Sequence, residues 1–192
     1  MKKQFLISLL IVLLSFTVFT ISYAKQPPAT QKPATKLEQF LAKKGKILIK
    51  EFHKAGVFYG QYGTKITIDA LIIYEPGKGR DKIRGLRIEV YEGGRLDRRD
   101  TAFLDKEEVE SLSQAITYMI NLIKKWRGVY REYTEVIFST KGDFKLGFYQ
   151  QNTQLQGFAQ SGVIGAAHCY FPIDKLSELK EIIDKGNRLL MK

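Results

Sequence analysis

The chain has 192 residues and a formal net charge of +11 at pH 7, from 31 basic and 20 acidic residues. Cys169 is the only cysteine, which excludes an intrachain disulfide and leaves stability to packing. The excess of positive charge favours an anionic partner, such as lipid headgroups, cell-wall polymers, nucleic acid or an acidic protein.

The N-terminus has the pattern of a secretory signal peptide. Two lysines precede an almost unbroken apolar run from Phe5 to Ile21, and Ser22 and Ala24 supply the small residues of a cleavage site. We therefore expect cleavage after Ala24, so that residues 1–24 are removed and the protein is exported, periplasmic or secreted. The alternative is an uncleaved membrane anchor, because about 17 apolar residues reach the lower limit for a membrane span.

A proline-rich stretch separates this signal from the folded part. Residues 25–36 contain three prolines and little that can enter a core, which predicts an extended linker. The remainder is long enough for one domain or for two small ones that share a core. We expect a first β-rich half with a helix at residues 37–128 and a second at residues 129–192.

The first half begins with a series of predicted strands. Residues 46–52, 65–74 and 83–91 have strand character, and in the last two the apolar and polar side chains alternate between opposite faces. Residues 75–80 are predicted to form a hairpin loop between them. A fourth strand should end at Leu104.

An amphipathic helix follows this fourth strand. Asp105 is the predicted N-cap, Glu108 completes a capping box, and Gly128 supplies the stop. The apolar residues recur in steps of three and four, which predicts one buried stripe: Val109, Leu112, Ile116, Met119, Ile120, Ile123 and Trp126.

The second half repeats this pattern with weaker signals. Strands are predicted at residues 133–139, 144–150 and 165–171, and residues 151–160 read as one irregular strand. A final helix begins near Asp174, with apolar residues Leu176, Leu179, Ile182, Ile183, Leu189 and Leu190. The sequence therefore predicts an α+β fold in which antiparallel sheets are packed by two amphipathic helices, as two similar ββββα halves.

Four strands followed by a helix, used twice, resembles the topology of the whirly-type and Pur-type single-strand-binding proteins. The resemblance covers most of the chain after the linker, in the order of the elements. It implies binding of single-stranded nucleic acid. No binding residue follows from it, and the export signal contrasts with the intracellular role of those families.

The strongest candidate site in the sequence is a set of basic residues in the first half. Loops and strand ends are expected to bring many of them near one end of the first sheet, as a surface for anions, with ordinary solvated surface as the alternative. The candidate anion-binding residues are Lys78, Arg80, Lys82, Arg84, Arg87, Arg95, Arg98 and Arg99. Nearby tyrosines that would suit base stacking are Tyr59, Tyr62, Tyr74 and Tyr91.

No residue is predicted to be catalytic, cofactor-binding or metal-binding. His168 and Cys169 are adjacent, so in a strand they point to opposite faces and this histidine is poorly placed to activate this thiol. The spacing of the two histidines from the cysteine matches no usual zinc pattern. Asp69 and Glu89 are carboxylates on outward sheet positions, where ion pairing is expected.

These observations predict an exported, non-enzymatic binding or scaffold domain with a basic surface and an unidentified partner. One alternative is a binder of nucleic acid or another polyanion. The other is an envelope hydrolase that uses carboxylates such as Asp69 and Glu89. Membrane contact is expected only through an uncleaved N-terminal segment.

Overall fold

A computed structural model describes residues 34–79, 81–94 and 97–191. The predicted signal peptide, most of the linker, Arg80 and Arg95 lie outside the described residues. The helices are α1 (Lys36–Leu41), α2 (Lys106–Trp126) and α3 (Leu176–Leu189), the last entered through a 3₁₀ turn at Ile173–Lys175. The strands are β1 (Ile49–Tyr59), β2 (Lys65–Tyr74), β3 (Ile83–Glu92), β4 (Arg98–Asp105), β5 (Arg131–Ser139), β6 (Phe144–Asn152), β7 (Gln154–Ser161) and β8 (Ala167–Pro172).

The predicted α+β class is confirmed. The first sheet has the strand order β1-β2-β3-β4 and the second the order β5-β6-β7-β8, and every neighbouring pair is antiparallel. Helix α2 follows the first sheet and α3 follows the second, so the ββββα order occurs twice. None of the helices in the described part of the chain is long and apolar enough to cross a membrane.

Helix α2 forms where its end signals predict. Its capping box is present, and Glu108 Oε2 accepts the backbone N–H of Asp105 at 3.3 Å. The predicted stripe is buried at Val109, Leu112, Ile116, Met119 and Ile123, with Ile120 and Trp126 partly buried against the same core.

Strand β7 is regular, although the sequence shows no clear pattern there. Its core face carries Leu155 followed by the small residues Gly157, Ala159 and Ser161, and Gly157 lies opposite Phe171 of β8. A Cβ on Gly157 would lie 2.2 Å from Cε2 of Phe171, so the phenyl ring fills the space that a β7 side chain would otherwise take. The apolar alternation is absent because the partner strand supplies the apolar group.

The two halves share one hydrophobic core. Helix α3 follows the second sheet but packs against β1, β2 and β3 of the first. The approach is close, since a Cβ added to Gly56 would lie 2.9 Å from Ile182 Cγ2, and one added to Gly186 would lie 2.8 Å from Leu86 Cδ2. One buried cluster accordingly contains residues from both sheets and both long helices.

Contacts between the sheets reinforce this shared core. Phe58 of β1 and Phe171 of β8 meet edge to face, with ring centroids 5.0 Å apart. At the core edge, Ser161 Oγ donates to Asp100 Oδ1 at 2.6 Å. The ring of Trp126 at the end of α2 packs edge-on against Phe148 of β6, with centroids 5.6 Å apart.

Helix α1 covers part of the outer face of the first sheet, the face turned away from the shared core. Leu37 and Phe40 pack there on Leu71 and Ile73 of β2 in a second, smaller apolar cluster. Asp105 fixes the start of α1, because its carboxylate accepts the backbone N–H of Leu37 at 3.2 Å and that of the preceding residue at 2.9 Å. The second sheet has no described helix on its outer face.

We predict that Leu179→Ala lowers the free energy of unfolding of the whole domain by about 2–5 kcal/mol, through lost transfer energy and a new cavity. Leu179 is fully buried in the shared core, as is Leu112 in α2, where the same change should have a similar effect. Denaturant unfolding followed by circular dichroism and by tyrosine fluorescence measures it, and the two probes should give one transition.

Ile164→Ala is the matched control, because this side chain is 99% exposed in the loop before β8. It should change the free energy of unfolding by less than about 0.5 kcal/mol. Two separate transitions in the Leu179→Ala variant would contradict a shared core.

Candidate functional site

The six candidate basic residues that the structure describes do not come together at one end of the first sheet, so for these six the expectation of a single cluster is wrong. Lys82 and Arg84 lie where β3 begins, beside the β2–β3 hairpin that carries Lys78. Arg98 pairs in register with Glu92 at the far end of β3. At about 3.3 Å per residue, the length of β3 separates the two groups by roughly 25 Å.

The arginines on the outer face of the first sheet are paired with carboxylates. Arg87 lies 3.1 Å from Asp69 through Nη1 and 2.6 Å from Glu89 through Nη2. Arg99 reaches the other oxygen of Glu89 at 3.3 Å. Asp69 and Glu89, the carboxylates of the hydrolase alternative, are therefore ion-pair partners of these arginines. Their negative charges offset the arginine charges on this face.

The tyrosines near these residues also interact with cations or with the sheet. Lys65 and Arg99 are the cross-strand neighbours of Tyr91, and their charged groups lie 5.2 and 5.1 Å from its ring centroid. The Tyr74 hydroxyl donates to Glu51 at 2.6 Å, and Lys82 lies 4.4 Å from the Tyr74 ring. The exposed rings of Tyr59 and Tyr62 flank the turn between β1 and β2.

Lys78 belongs to a separate charge cluster. Three lysines surround Glu75, with Nζ–O distances of 3.1 Å for Lys78, 3.2 Å for Lys46 and 3.6 Å for Lys43. Hydrogen bonds from Lys78 and Lys46 hold the pKa of Glu75 at about 2, against the usual 4.5. The carboxylate therefore stays charged and offsets part of the local positive charge.

We expect Glu75→Gln to change the pH dependence of stability. Because the folded-state pKa is depressed, the stability that Glu75 contributes is complete above about pH 4.5 and is lost as the pH falls toward about 2. The wild type should therefore melt at a higher temperature than the variant near neutral pH, and the difference should shrink in acid. Glu110→Gln, at an exposed position of α2, is the control and should show no such trend.

His168 and Cys169 lie on opposite faces of β8. The thiol is buried in the shared core, where Thr64 Oγ1 donates to its sulfur at 3.3 Å. Burial raises the pKa of Cys169, which disfavours the reactive thiolate. On the outer side, His168 Nδ1 lies 3.4 Å from Glu92 Oε2. Among the described residues, no group of three or more His, Cys, Asp or Glu side chains is arranged to hold a metal ion.

Cys169 should be unreactive in the folded protein. Its 0% exposure and raised pKa predict that a disulfide reagent such as dithionitrobenzoate labels it only as fast as the protein unfolds. The absorbance of the released thiolate measures labelling, and full denaturation supplies the end point. Rapid labelling of folded protein would contradict this placement.

The outer face of the second sheet carries a groove that the sequence did not reveal. We call it the aromatic groove, and its volume is about 300 Å³. Residues from all four strands line it, among them Tyr133, Glu135, Lys145, Tyr149, Phe158 and Tyr170.

Strand register explains why this face is concave. Gly147 of β6 lies directly between Ile137 of β5 and Phe158 of β7. A Cβ at Gly147 would lie 3.2 Å from Phe158 Cζ and 2.2 Å from the Val136 carbonyl oxygen. The missing side chain at Gly147 therefore makes room for the Phe158 ring, which forms part of the groove wall.

Aromatic rings form a row across the groove. The rings of Tyr133 and Tyr149 have centroids 6.0 Å apart, and those of Tyr149 and Phe158 are 6.5 Å apart. Phe158 is in register with Tyr170, whose ring stacks on His168 at 6.2 Å with an interplanar angle of 8°. Tyr133 is 54% exposed and Tyr170 38%, so wide ring surfaces are open to a ligand.

The charges around the groove nearly cancel. Lys145 supplies one cation, whereas Glu135 and Glu92 supply two carboxylates. The Tyr133 hydroxyl donates to Glu135, and this hydrogen bond raises the pKa of Tyr133. Burial raises the pKa of Tyr170. Both hydroxyls therefore keep their protons and remain hydrogen-bond donors at neutral pH.

Two glutamines of β7 are fixed at the margin of this face. Gln156 Nε2 donates to the Phe171 carbonyl oxygen at 2.7 Å and to Gln61 Oε1 at 3.0 Å. Gln160 Nε2 donates to the Gly162 carbonyl oxygen at 3.0 Å, and Gln160 lines the groove. The margin is thus polar and uncharged, with side chains already oriented.

The sequence signal for this site was the alternation of its outward residues. In β5 and β6, Tyr133, Glu135 and Ile137 share one face, as do Lys145, Gly147 and Tyr149. Because β7 read as irregular, the sequence could not assign Phe158 to the same face.

The fold and the groove define a two-sheet α+β domain with one aromatic, uncovered sheet face. The chain matches no known protein family, and neither the curated proteins nor the solved structures contain one that is detectably similar to it.

Proposed function

We propose that this chain is an exported, non-enzymatic binding domain and that its aromatic groove takes an uncharged saccharide unit. The observation that carries the proposal is the row of rings from the exposed Tyr133 through the partly exposed Tyr149 and Phe158, in a concave sheet face of nearly balanced charge.

The chemistry of the groove suits a sugar ring. The face of an aromatic ring carries partial negative charge, which attracts the weakly positive C–H groups on the flat side of a sugar. Hydroxyl groups at the sugar's edge would meet oriented polar groups, such as the Tyr170 hydroxyl and the carboxylate of Glu135. The volume of about 300 Å³ is at the lower end for ligand pockets. It suits one unit of a longer glycan.

The charge balance favours this ligand over single-stranded nucleic acid. Proteins that bind single strands combine stacking rings with a positively charged track for the phosphates. Here the groove has one cation, Lys145, and one carboxylate, Glu135, in its lining, and Glu92 lies beside the lining residue His168, so a phosphate backbone would meet little net attraction. The polyanion alternative therefore has less support at this face.

The groove also favours binding over hydrolysis. Most glycoside hydrolases place two carboxyl groups on either side of the bond that is cleaved. Among the described residues, Glu135 is the only carboxylate that lines the groove, and the Tyr133 hydroxyl already donates to it. The signal-peptide pattern of residues 1–24 supports a location where envelope or extracellular glycans occur.

Calorimetric titration with tetramers of N-acetylglucosamine and of glucose tests the proposal. We expect binding of at least one tetramer, and Tyr149→Ala and Phe158→Ala should each weaken it about tenfold, which corresponds to roughly 1.4 kcal/mol of lost ring contact. Tyr118→Ala is the control, since this ring is 64% exposed on α2 and away from the groove. Melting temperatures verify that each variant is folded.

Salt dependence separates the alternatives. Binding of an uncharged saccharide should change little with ionic strength, because it releases no counterions. Oligothymidylate, titrated in parallel, should bind poorly. Oligothymidylate binding that needs Tyr149, with a log–log salt slope of roughly −0.7 per phosphate, would favour the nucleic-acid alternative. Failure of both saccharides to bind would contradict the proposal.

A further inference from the structure

A second concave site lies in the first half, away from the aromatic groove. We call it the basic cavity, and its volume is about 450 Å³. It lies where β3, α1 and α2 begin. Four basic side chains line it, Lys36, Lys82, Arg84 and Lys106, together with the carboxylate of Glu107 and three apolar residues that include Leu190 and Met191.

Two of the four basic side chains form ion pairs with nearby carboxylates. Lys36 Nζ lies 2.7 Å from Glu107, in an exposed pair whose side chains are 61% and 70% accessible. Lys82 Nζ lies 3.9 Å from Glu51, whose same oxygen accepts the Tyr74 hydroxyl at 2.6 Å. Exposed and long ion pairs of this kind are weak, so an incoming anion can compete for both lysines.

Arg84 is the residue that marks the cavity as a binding site. Its Nε atom is buried and has no hydrogen-bond partner among the described residues. Buried N–H groups in folded proteins are nearly always paired. A guanidinium with a free Nε–H can hold two oxygens of one anion with its planar fork of donors.

The start of α2 lies at the same place, where the first-turn carboxylates Glu107 and Glu108 offset part of the positive end of its dipole. This helix has 21 residues, and its first turn, at Lys106 and Glu107, forms part of the cavity wall. Helix N-termini carry partial positive charge. The carboxylate of Asp105 also lies here, but it accepts backbone N–H groups from the start of α1.

We infer that the basic cavity binds the phosphate group of an organic phosphate, either a soluble molecule or a lipid headgroup. A dianion gains more than a carboxylate from several surrounding cations. The volume exceeds by far the roughly 30 Å³ share of one water molecule, so the group that carries the phosphate also fits. Leu190 and Met191 offer that group an apolar wall.

This inference narrows the sequence-based anion hypothesis and is independent of the aromatic groove. Lys82 and Arg84 remain from the original eight candidates, and Lys36 and Lys106 join them from other elements. The remaining described candidates, Lys78, Arg87, Arg98 and Arg99, do not line the cavity.

Two probes test the inference with the full chain at low salt. The first is pyrophosphate, followed by calorimetry. The second is sedimentation with vesicles of phosphatidylglycerol, scored as the excess over phosphatidylcholine vesicles so that any contribution of the apolar N-terminal run cancels. Binding of pyrophosphate indicates a soluble phosphate, and an excess on phosphatidylglycerol alone indicates a headgroup; both outcomes support the site.

Variants decide whether the cavity is responsible. Arg84→Gln should weaken binding about tenfold and Lys106→Gln about threefold. Each factor is the change in affinity expected when one charged contact is lost. Lys124→Gln removes the same charge at the far end of α2 and should change binding less than about twofold. Lys106→Gln keeps the test decisive if Arg84→Gln impairs folding.

Two results would overturn the inference. One is no binding of pyrophosphate and no preference for phosphatidylglycerol by the wild type at low salt. The other is an equal loss of binding in Lys106→Gln and Lys124→Gln, because net charge rather than a site would then account for the attraction.

Discussion

The packing of α3 against the first sheet is the contact on which the rest of the structure depends. The helix belongs in sequence to the second half, yet Ile182 and Gly186 lie against Gly56 and Leu86 of the first. Close approach requires glycine on both sides, because a Cβ at either would come within 3 Å of a neighbouring side chain. Each half thus completes the other's core, and neither sheet is an independent unit.

Because the core lies between the two halves, each sheet also has an outer face. The two outer faces differ in what covers them and in their charge. On the first sheet, α1 covers one end through Leu37 and Phe40, and the arginines Arg87 and Arg99 neutralise the rest. On the second, the aromatic groove is open, and Gly147 makes room for the Phe158 ring in its wall. The repeat of ββββα elements is therefore symmetrical in topology but not in surface chemistry, and among the described residues no helix covers the face where we propose that a saccharide binds.

The fold was predictable from sequence to the extent that each element's own residues decide it. The stripe of α2 and the alternation of β2 are strong, because those side chains themselves fill the core. β7 was not predictable as a regular strand, since Phe171 of β8 fills the space over Gly157. The expected clustering of the basic residues was wrong because the sequence did not show how far β3 carries them apart. Arg84 and Arg98 are close in the chain, but β3 runs between them and places them at opposite ends of the sheet.

The net charge of the chain is a poor guide to where it binds. Glu75 forms ion pairs with three lysines and Glu89 with two arginines, so much of the positive charge is offset within the fold. A donor that the fold leaves without an acceptor can attract an anion, and Arg84, which lines the basic cavity, has a buried Nε–H with no partner among the described residues. A surface that binds by stacking on aromatic rings has the opposite requirement, because it needs no net charge. We propose that a row of rings recognises an uncharged ligand best where local charges cancel, and the aromatic groove has one cation, Lys145, and one carboxylate, Glu135, in its lining.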